Sequence, residues 1–211
     1  MKLLYNPSVP GKVLFPEFIW QCRNNKVLLT FDDGPNPGST EIILKVLEEL
    51  GIKALFFMVG NNIRRYPALA NDMLNAGHDL GNHTFNHKNA AFVSKKVFDN
   101  EILMFNKVTN EVLNRQTSYF RPPRGRFDLG LQKRLKNYGL KNVMWSLLSF
   151  DYKNDINIVK FALDNFLLDN SLVVFHDSDK SKNIIEDSIK YLADKVIDRG
   201  FEFGAPLECL N

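Results

Sequence analysis

Five short polar clusters in this chain each follow directly on an apolar, strand-like run. LLTF runs into Asp32-Asp33-Gly34-Pro35, HDLGN into His83-Thr84-Phe85-Asn86-His87, and SYF into Arg121-Pro122-Pro123-Arg124-Gly125. NVMWSLLSF runs into Asp151 and LVVF into His176. The residue types suit hydrolysis at a metal centre. His83 and His87 are four apart, a spacing that puts two Cα atoms about 6 Å apart in a helical turn. On an extended strand it puts them roughly 13 Å apart, too far for both rings to reach one ion. If the pair chelates, HTFNH must curl immediately after its strand. Asp32-Asp33 supplies the missing carboxylate, although Asp-Asp-Gly-Pro also has good turn chemistry. Neighbouring side chains on an extended chain point to different faces. One Asp is therefore expected on the metal and the other beside it as a base, and spacing does not say which is which. Two His and one carboxylate with an open position form a catalytic rather than a structural zinc set.

These clusters need a scaffold that brings five strand ends to one place. The strands are expected at residues 26–31, 53–59, 78–82, 118–120, 142–145, 171–175 and 201–203. Between them, apolar residues recur at helical spacing. Ile43, Val46, Leu47 and Leu50 mark a helix over residues 39–50 that Gly51 ends, and a helix over residues 63–76 is stopped by Gly77. A long amphipathic helix begins near Ser94, with Phe98, Ile102, Phe105 and Val112 on one face. Further helices are expected at residues 129–137, 156–168 and 183–199. Alternating strands and helices mean a parallel α/β architecture whose active site gathers at the strands' C-terminal ends. A full eight-fold barrel typically needs about 250 residues. A chain of 211 fits a distorted (β/α) barrel of about seven strands better.

The chain reads as a single domain, residues 1–211, with its core at about 26–211. Hydrophobic and charged fractions of 45% and 24% are those of an ordinary globular protein. With Lys plus Arg at 27 and Asp plus Glu at 24, the +3 net charge is too small to indicate nucleic acid. No apolar run approaches the roughly 18 residues of a membrane span. Asn6 and Pro7 interrupt the apolar start, which is no secretory signal, so a cytoplasmic location is expected unless a trimmed form is exported. Cys22 and Cys209 are accordingly expected as unpaired thiols, with a disulfide as the alternative if the protein is exported.

In their order, TFDDGP (residues 30–35), HTFNH (83–87), RPPRG (121–125), Asp151-Tyr152 and VFH (174–176) resemble the motifs of polysaccharide deacetylases. These belong to carbohydrate esterase family 4, the NodB-homology group. The resemblance implies metal-dependent removal of N-acetyl groups from an amino-sugar glycan of chitooligosaccharide or peptidoglycan type. Residue by residue, it assigns Asp33, His83 and His87 to the metal, usually zinc but also another divalent ion such as cobalt or nickel. It assigns Asp32 as base, Arg121 as the residue orienting it, His176 as acid and Asp151 as its supporting carboxylate. Thr84 matches a small hydroxyl residue that steadies the metal loop, and Pro123, Arg124, Tyr152 and Val174 match the substrate groove. The roles are chemically coherent. Amide hydrolysis at neutral pH needs an activated water, which zinc supplies by lowering its pKa to about 7. The amine leaving group needs an acid opposite the base, and a backbone N–H near Arg124 would serve the oxyanion.

Three positions depart from the family pattern. Arg124 stands where an aromatic residue is common, Tyr152 where Trp is usual, and Val174 where Leu is usual. A cationic groove wall suggests a sugar carrying a carboxylate or phosphate. Phe85 and Phe127 are expected in the core rather than the groove, and His78 as a strand-opening histidine without a catalytic role. Two other readings stand beside the deacetylase: a related hydrolase acting on an O-acetyl ester or a small or lipid-linked substrate, and an inactive glycan-binding module.

Overall fold

In the computed structural model, which describes residues 5–7 and 9–210, the apolar runs form one seven-stranded, all-parallel sheet. Its strands are Leu28–Asp32 (β1), Leu55–Met58 (β2), Asp79–Asn82 (β3), Tyr119–Phe120 (β4), Lys141–Asn142 (β5), Leu147–Leu148 (β6) and Leu172–His176 (β7). The helices are Val9–Leu14 (α1), Thr40–Leu50 (α2), Gly60–Arg65 (α3), Pro67–Asn75 (α4), Lys95–Leu113 (α5), Leu131–Lys136 (α6), Ile156–Phe166 (α7), Ile185–Asp198 (α8) and Pro206–Leu210 (α9). The apolar patch at residues 1–4 lies outside the described residues.

The strand order β5-β4-β3-β2-β1-β7-β6 explains the shape. Six strand spacings of about 4.8 Å would hold the edges of a flat sheet about 29 Å apart. Yet the edge strands β5 and β6 are joined by residues 143–146 alone, and the step from residue 142 to 147 spans at most about 18 Å. The sheet must curl until its edges nearly meet. The N-terminal segment closes the gap, with Ile19 N–H donating to the Asn142 carbonyl (2.9 Å) and Met144 N–H to the Ile19 carbonyl (2.8 Å). The result is the expected distorted barrel, built as a curled half-barrel.

Period-two alternation then decides what faces inward. On β1, β2 and β7 the residues Leu29, Phe31, Phe56, Met58, Val173 and Phe175 pack outward against the helices. Leu28, Leu55, Phe57 and Leu172 pack in a separate inner cluster. By the same parity Thr30, Asp32, Val174 and His176 face the interior. Outside, α2 presents Ile43, Val46 and Leu47, each worth about 1.5–3 kcal/mol when buried. It ends at Gly51, whose φ of 66° is the left-handed cap that glycine tolerates. Cys22 and Cys209 are free and buried in the inner cluster, where the two ends of the chain meet.

Three sequence expectations are corrected. The helix expected over residues 63–76 is two helices, because the residue before a proline avoids helical backbone: Tyr66, with φ −130°, breaks the run at Pro67. The strand expected over residues 142–145 ends at Asn142, and the chain leaves one sheet edge to form β6 on the other. Residues 201–203 form no strand; Phe203 makes an isolated bridge to Val27.

Candidate active site

The strand ends converge because the ladders are in level register. Asp32 pairs with His176 across β1 and β7, and Met58 pairs with Asn82 across β2 and β3. Just beyond these ends both metal-side loops turn sharply. Asp33 has φ 83°, Thr84 66° and His87 56°, left-handed backbone that costs non-glycine residues about 1–3 kcal/mol each and persists only under restraint. The restraints are visible. The Asp33 carbonyl accepts from Asn62 Nδ2 (2.8 Å). Gly60 and Asn61 N–H donate to the Thr84 and Phe85 carbonyls (3.0 and 2.8 Å). Glu101, buried on α5, accepts from Asn86 N–H and Nδ2 (2.6 and 2.9 Å).

This curl brings Asp33, His83 and His87 together, with one ligand atom from each within 4.8 Å of the others. Asp33 Oδ1 lies 3.1 Å from His87 Nε2 and 3.6 Å from His83 Nε2. Tetrahedral zinc with ligands at about 2.0–2.1 Å needs edges of about 3.4 Å, so the donor spacing fits such an ion. The protonation states fit as well. His83 Nδ1 is 2.9 Å from the Arg121 carbonyl, which can only accept, so the proton is on Nδ1 and the Nε2 lone pair faces Asp33. Burial holds the His83 pKa down despite Asp32 and Asp33. Burial pushes Asp33 up, but His87 and His83 together hold it well below the usual carboxylate range. A neutral His83 and an ionised Asp33 are the forms in which these groups bind a divalent ion.

Arg121, with no exposed surface, reaches across the barrel interior. Its Nη1 donates to Asp32 Oδ1 (2.7 Å) and Thr30 Oγ1 (2.8 Å), its Nε to the Val143 carbonyl (3.0 Å), and its Nη2 to the Met144 carbonyl (2.6 Å). Its guanidinium also lies 4.1 Å from the centre of the Phe57 ring. Asp32 is thereby fixed, with Oδ2 3.9 Å from His83 Nε2. Opposite, His176 Nδ1 is 2.7 Å from Asp151 Oδ1, and Asp151 Oδ2 accepts from the His176 N–H (2.7 Å). Burial lowers the His176 pKa, but the charge and hydrogen bond of Asp151 outweigh it and raise it to about 9. Tyr152 stands edge-on to the His176 ring at 4.9 Å.

All these groups surround one open cleft of about 710 Å³. Asp32, Asp33, His83, His87, Arg124, Tyr152, Val174 and His176 line it directly, while Arg121 and Asp151 act from behind Asp32 and His176. Pro123 is a correction: it is buried under the turn and does not line the cleft, whereas Arg124 and Gly125 after it do. Thr84 holds its loop through its backbone; its buried Oγ1 has no partner among the described residues. Phe85 and His78 are core residues, and Phe127 packs on Phe15 and Phe18.

Sequence reading overlooked Asp177 and Lys180. Asp177 accepts from Thr40 Oγ1 (2.5 Å) and Ser39 Oγ, and its N–H donates to the Asp32 carbonyl (2.8 Å). A Cβ on Gly34 would lie 2.1 Å from its Oδ2. Asp177 thus fastens the Asp32-Asp33 turn to α2, and its place next to His176 was the available signal. Lys180 adds a second cation to the cleft wall.

A family profile described as polysaccharide deacetylase matches residues 21–143. A peptidoglycan-N-acetylglucosamine deacetylase of Bacillus cereus is 30% identical over 91% of this chain and 92% of its own length. A peptidoglycan-N-acetylmuramic acid deacetylase of Bacillus subtilis is 30% identical over 71% of this chain, which spans 58% of that protein. The crystal structure of a peptidoglycan N-acetylglucosamine deacetylase bound to a hydroxamate-type benzamide superposes with a TM-score of 0.88. It covers 96% of this chain and 97% of its own, at 23% identity, and shares the fold.

Proposed function

The chain belongs to the polysaccharide deacetylase family, and on that premise we propose that it removes the N-acetyl group from an amino sugar of a peptidoglycan-type glycan. One observation carries the reading. Asp32 and His176, side by side in register, flank the Asp33-His83-His87 donor set, and each is held by its own buried partner.

Asp33, His83 and His87 would hold a divalent ion, with zinc the best fit to one carboxylate and two imidazoles. Such an ion, when bound, supplies the Lewis acidity that makes a water nucleophilic near neutral pH. Asp32, oriented by the Arg121 guanidinium, takes the proton of the attacking water. His176 remains an imidazolium at neutral pH because its pKa is raised to about 9, and it gives a proton to the departing amine. Arg124 lines the cleft on a left-handed turn (φ 57°), which makes its N–H the candidate donor on that wall. It serves the developing oxyanion, a contact commonly worth 10²–10³ in rate.

The substrate is read from the walls. Arg124 and Lys180 are cations in one cleft, on loops after β4 and β7 that flank the metal strands. They favour a sugar bearing a carboxylate, such as the lactyl group of a muramic acid, over a neutral hexosamine. Relatives at 30% identity include both N-acetylglucosamine and N-acetylmuramic acid deacetylases, so the charge of the walls alone carries this preference.

The test is product analysis with acetylated glucosamine oligomers and peptidoglycan fragments, after chelation and again after zinc is restored. Release of acetate with an equal yield of free amine, lost on chelation and regained with zinc, is expected. Acetate without new amine would assign the site to O-acetyl esters. Glycan binding that never leads to turnover would assign it to an inactive module.

A further inference from the structure

Resting on the deacetylase reading, we propose that Phe92 and the hollow beside it form an accessory sugar subsite that seats a second pyranose of the glycan chain. Phe92 is 93% exposed. A single exposed apolar side chain ordinarily needs no explanation. This one, however, has left-handed backbone with φ 57°, a conformation that phenylalanine adopts only under restraint.

The restraint is a clamp. Phe92 N–H donates to Asp128 Oδ2 (3.0 Å), and Asp128 Oδ1 accepts from Gly130 N–H (2.9 Å). Arg134 Nη2 binds Asp128 Oδ2 (3.1 Å) and the Ala90 carbonyl (2.8 Å). The Ala90 carbonyl and the Phe92 N–H are thus held by the same Asp128–Arg134 pair. The ring is therefore presented to solvent on a held backbone, so it loses little conformational freedom when a ligand covers it.

Beside the ring is a hollow of about 330 Å³ lined by Asn89, Ala91, Phe92, Gly125, Arg126 and Phe127. It continues the catalytic cleft in two ways. Gly125 lines both cavities. Arg124, on the cleft wall, donates from Nη1 to Asn89 Oδ1 (3.2 Å) on the wall of the hollow. The junction must also be free of side chains. Gly125 has φ 63°, and a Cβ there would lie 2.3 Å from the Trp145 ring.

The lining fits a sugar rather than an apolar segment. One aromatic face stands ready for the C–H face of a pyranose, and Asn89 and Arg126 offer polar groups to ring hydroxyls. The acid nearby, Asp128, is already engaged by Arg134, so the rim carries no unpaired negative charge from it. Continuity with the cleft identifies the occupant as a neighbouring ring of the same chain whose acetylated ring faces Asp32.

The experiment compares wild type, Phe92→Ala and Phe92→Tyr in the full chain with zinc, using N-acetylglucosamine dimers and pentamers. KM and kcat are read from amine release, and binding is read by calorimetry. Phe92→Ala is expected to raise KM for the pentamer about tenfold with kcat unchanged and the dimer unaffected. Phe92→Tyr is expected to restore the pentamer KM, and the melting temperature should be the same in all three. Normal deacetylation with no length-dependent effect of Phe92→Ala overturns the subsite and leaves the deacetylase reading intact. Length-dependent binding without amine release from any substrate overturns the deacetylase reading and leaves the subsite standing. Absence of binding and turnover in the wild type, with the pentamer and with muramic-acid-containing peptidoglycan fragments of the same length alike, overturns both.

Discussion

The loop after β1 and the start of the β3–α5 loop, on one side, and the loop after β4 and the far end of the β3–α5 loop around residue 92, on the other, line adjoining cavities but are built differently. On the metal side Thr84 is buried, and Asp33 and His87, half-buried at the cleft, sit on loops tied down from behind. Asp33 and Thr84 are tied by hydrogen bonds to α3, and Arg121 passes beneath them with no surface exposed. On the rim, Arg124 and Phe92 have similar left-handed backbone, but their side chains stand in solvent. Strain at the floor fixes the distances of a three-ligand donor set, where an error of 1 Å would be costly. Strain at the rim holds side chains out in solvent, where the proposed glycan would meet them. On the proposed reading, the same backbone device serves chemistry in one region and recognition in the other.

Substitutions on the two sides should therefore fail differently. The largest loss is expected for Asp32→Asn, which should lower kcat about 10²–10⁴-fold while bound zinc, read by elemental analysis, stays at the wild-type level. Zinc lost in parallel would place Asp32 among the ligands and break the division of labour at the floor. Arg121→Met leaves Asp32 buried without its partner and should cost about 3–5 kcal/mol of stability, seen as a lower urea midpoint. An unchanged midpoint would mean that Asp32 does not depend on the buried pair.

Asp151→Asn should move the alkaline limb of the pH–rate profile downward. The charge that raises His176 to about 9 would be gone while the burial that lowers it remains. As the proposed acid, His176 is competent below its pKa and loses that role above it, so activity is expected to fall as pH rises through that value. A limb that stays near pH 9 would count against His176 as the acid. The smallest effect belongs to the rim. Arg124→Ala should cost about tenfold in kcat/KM on a carboxylate-bearing sugar and leave a neutral oligomer unaffected. An equal loss on both would remove the anionic preference.

Much of the site could be read in the chain because its parts are local. HTFNH had to curl for two histidines to share an ion, and it does, with left-handed Thr84 and His87. The helix over Thr40–Leu50 and its Gly51 cap followed from spacing and residue type. Where reading failed, the deciding partner was remote. Asn142 and Leu147 look like parts of one strand, yet they pair with β4 and β7 at opposite edges of the sheet. Phe203 looks like a strand residue but lies where only a single bridge to Val27 is made. Asp177 looked like a plain neighbour of His176 until Ser39 and Thr40 were found bonded to it.

The amino-acid order alone determined the residue types at each strand end, the parity that turns Asp32 and His176 inward, and the family those motifs belong to. Tertiary structure alone decided that the sheet curls far enough for Arg121 to bond Asp32, 89 positions away in the chain. It likewise set Asp151 against His176 and opened a hollow beside Phe92. Periodicity and turn chemistry act over a few residues, so they fix which way a side chain leaves the backbone. What it meets depends on loop closures over a hundred residues, and those are settled only when the whole core packs.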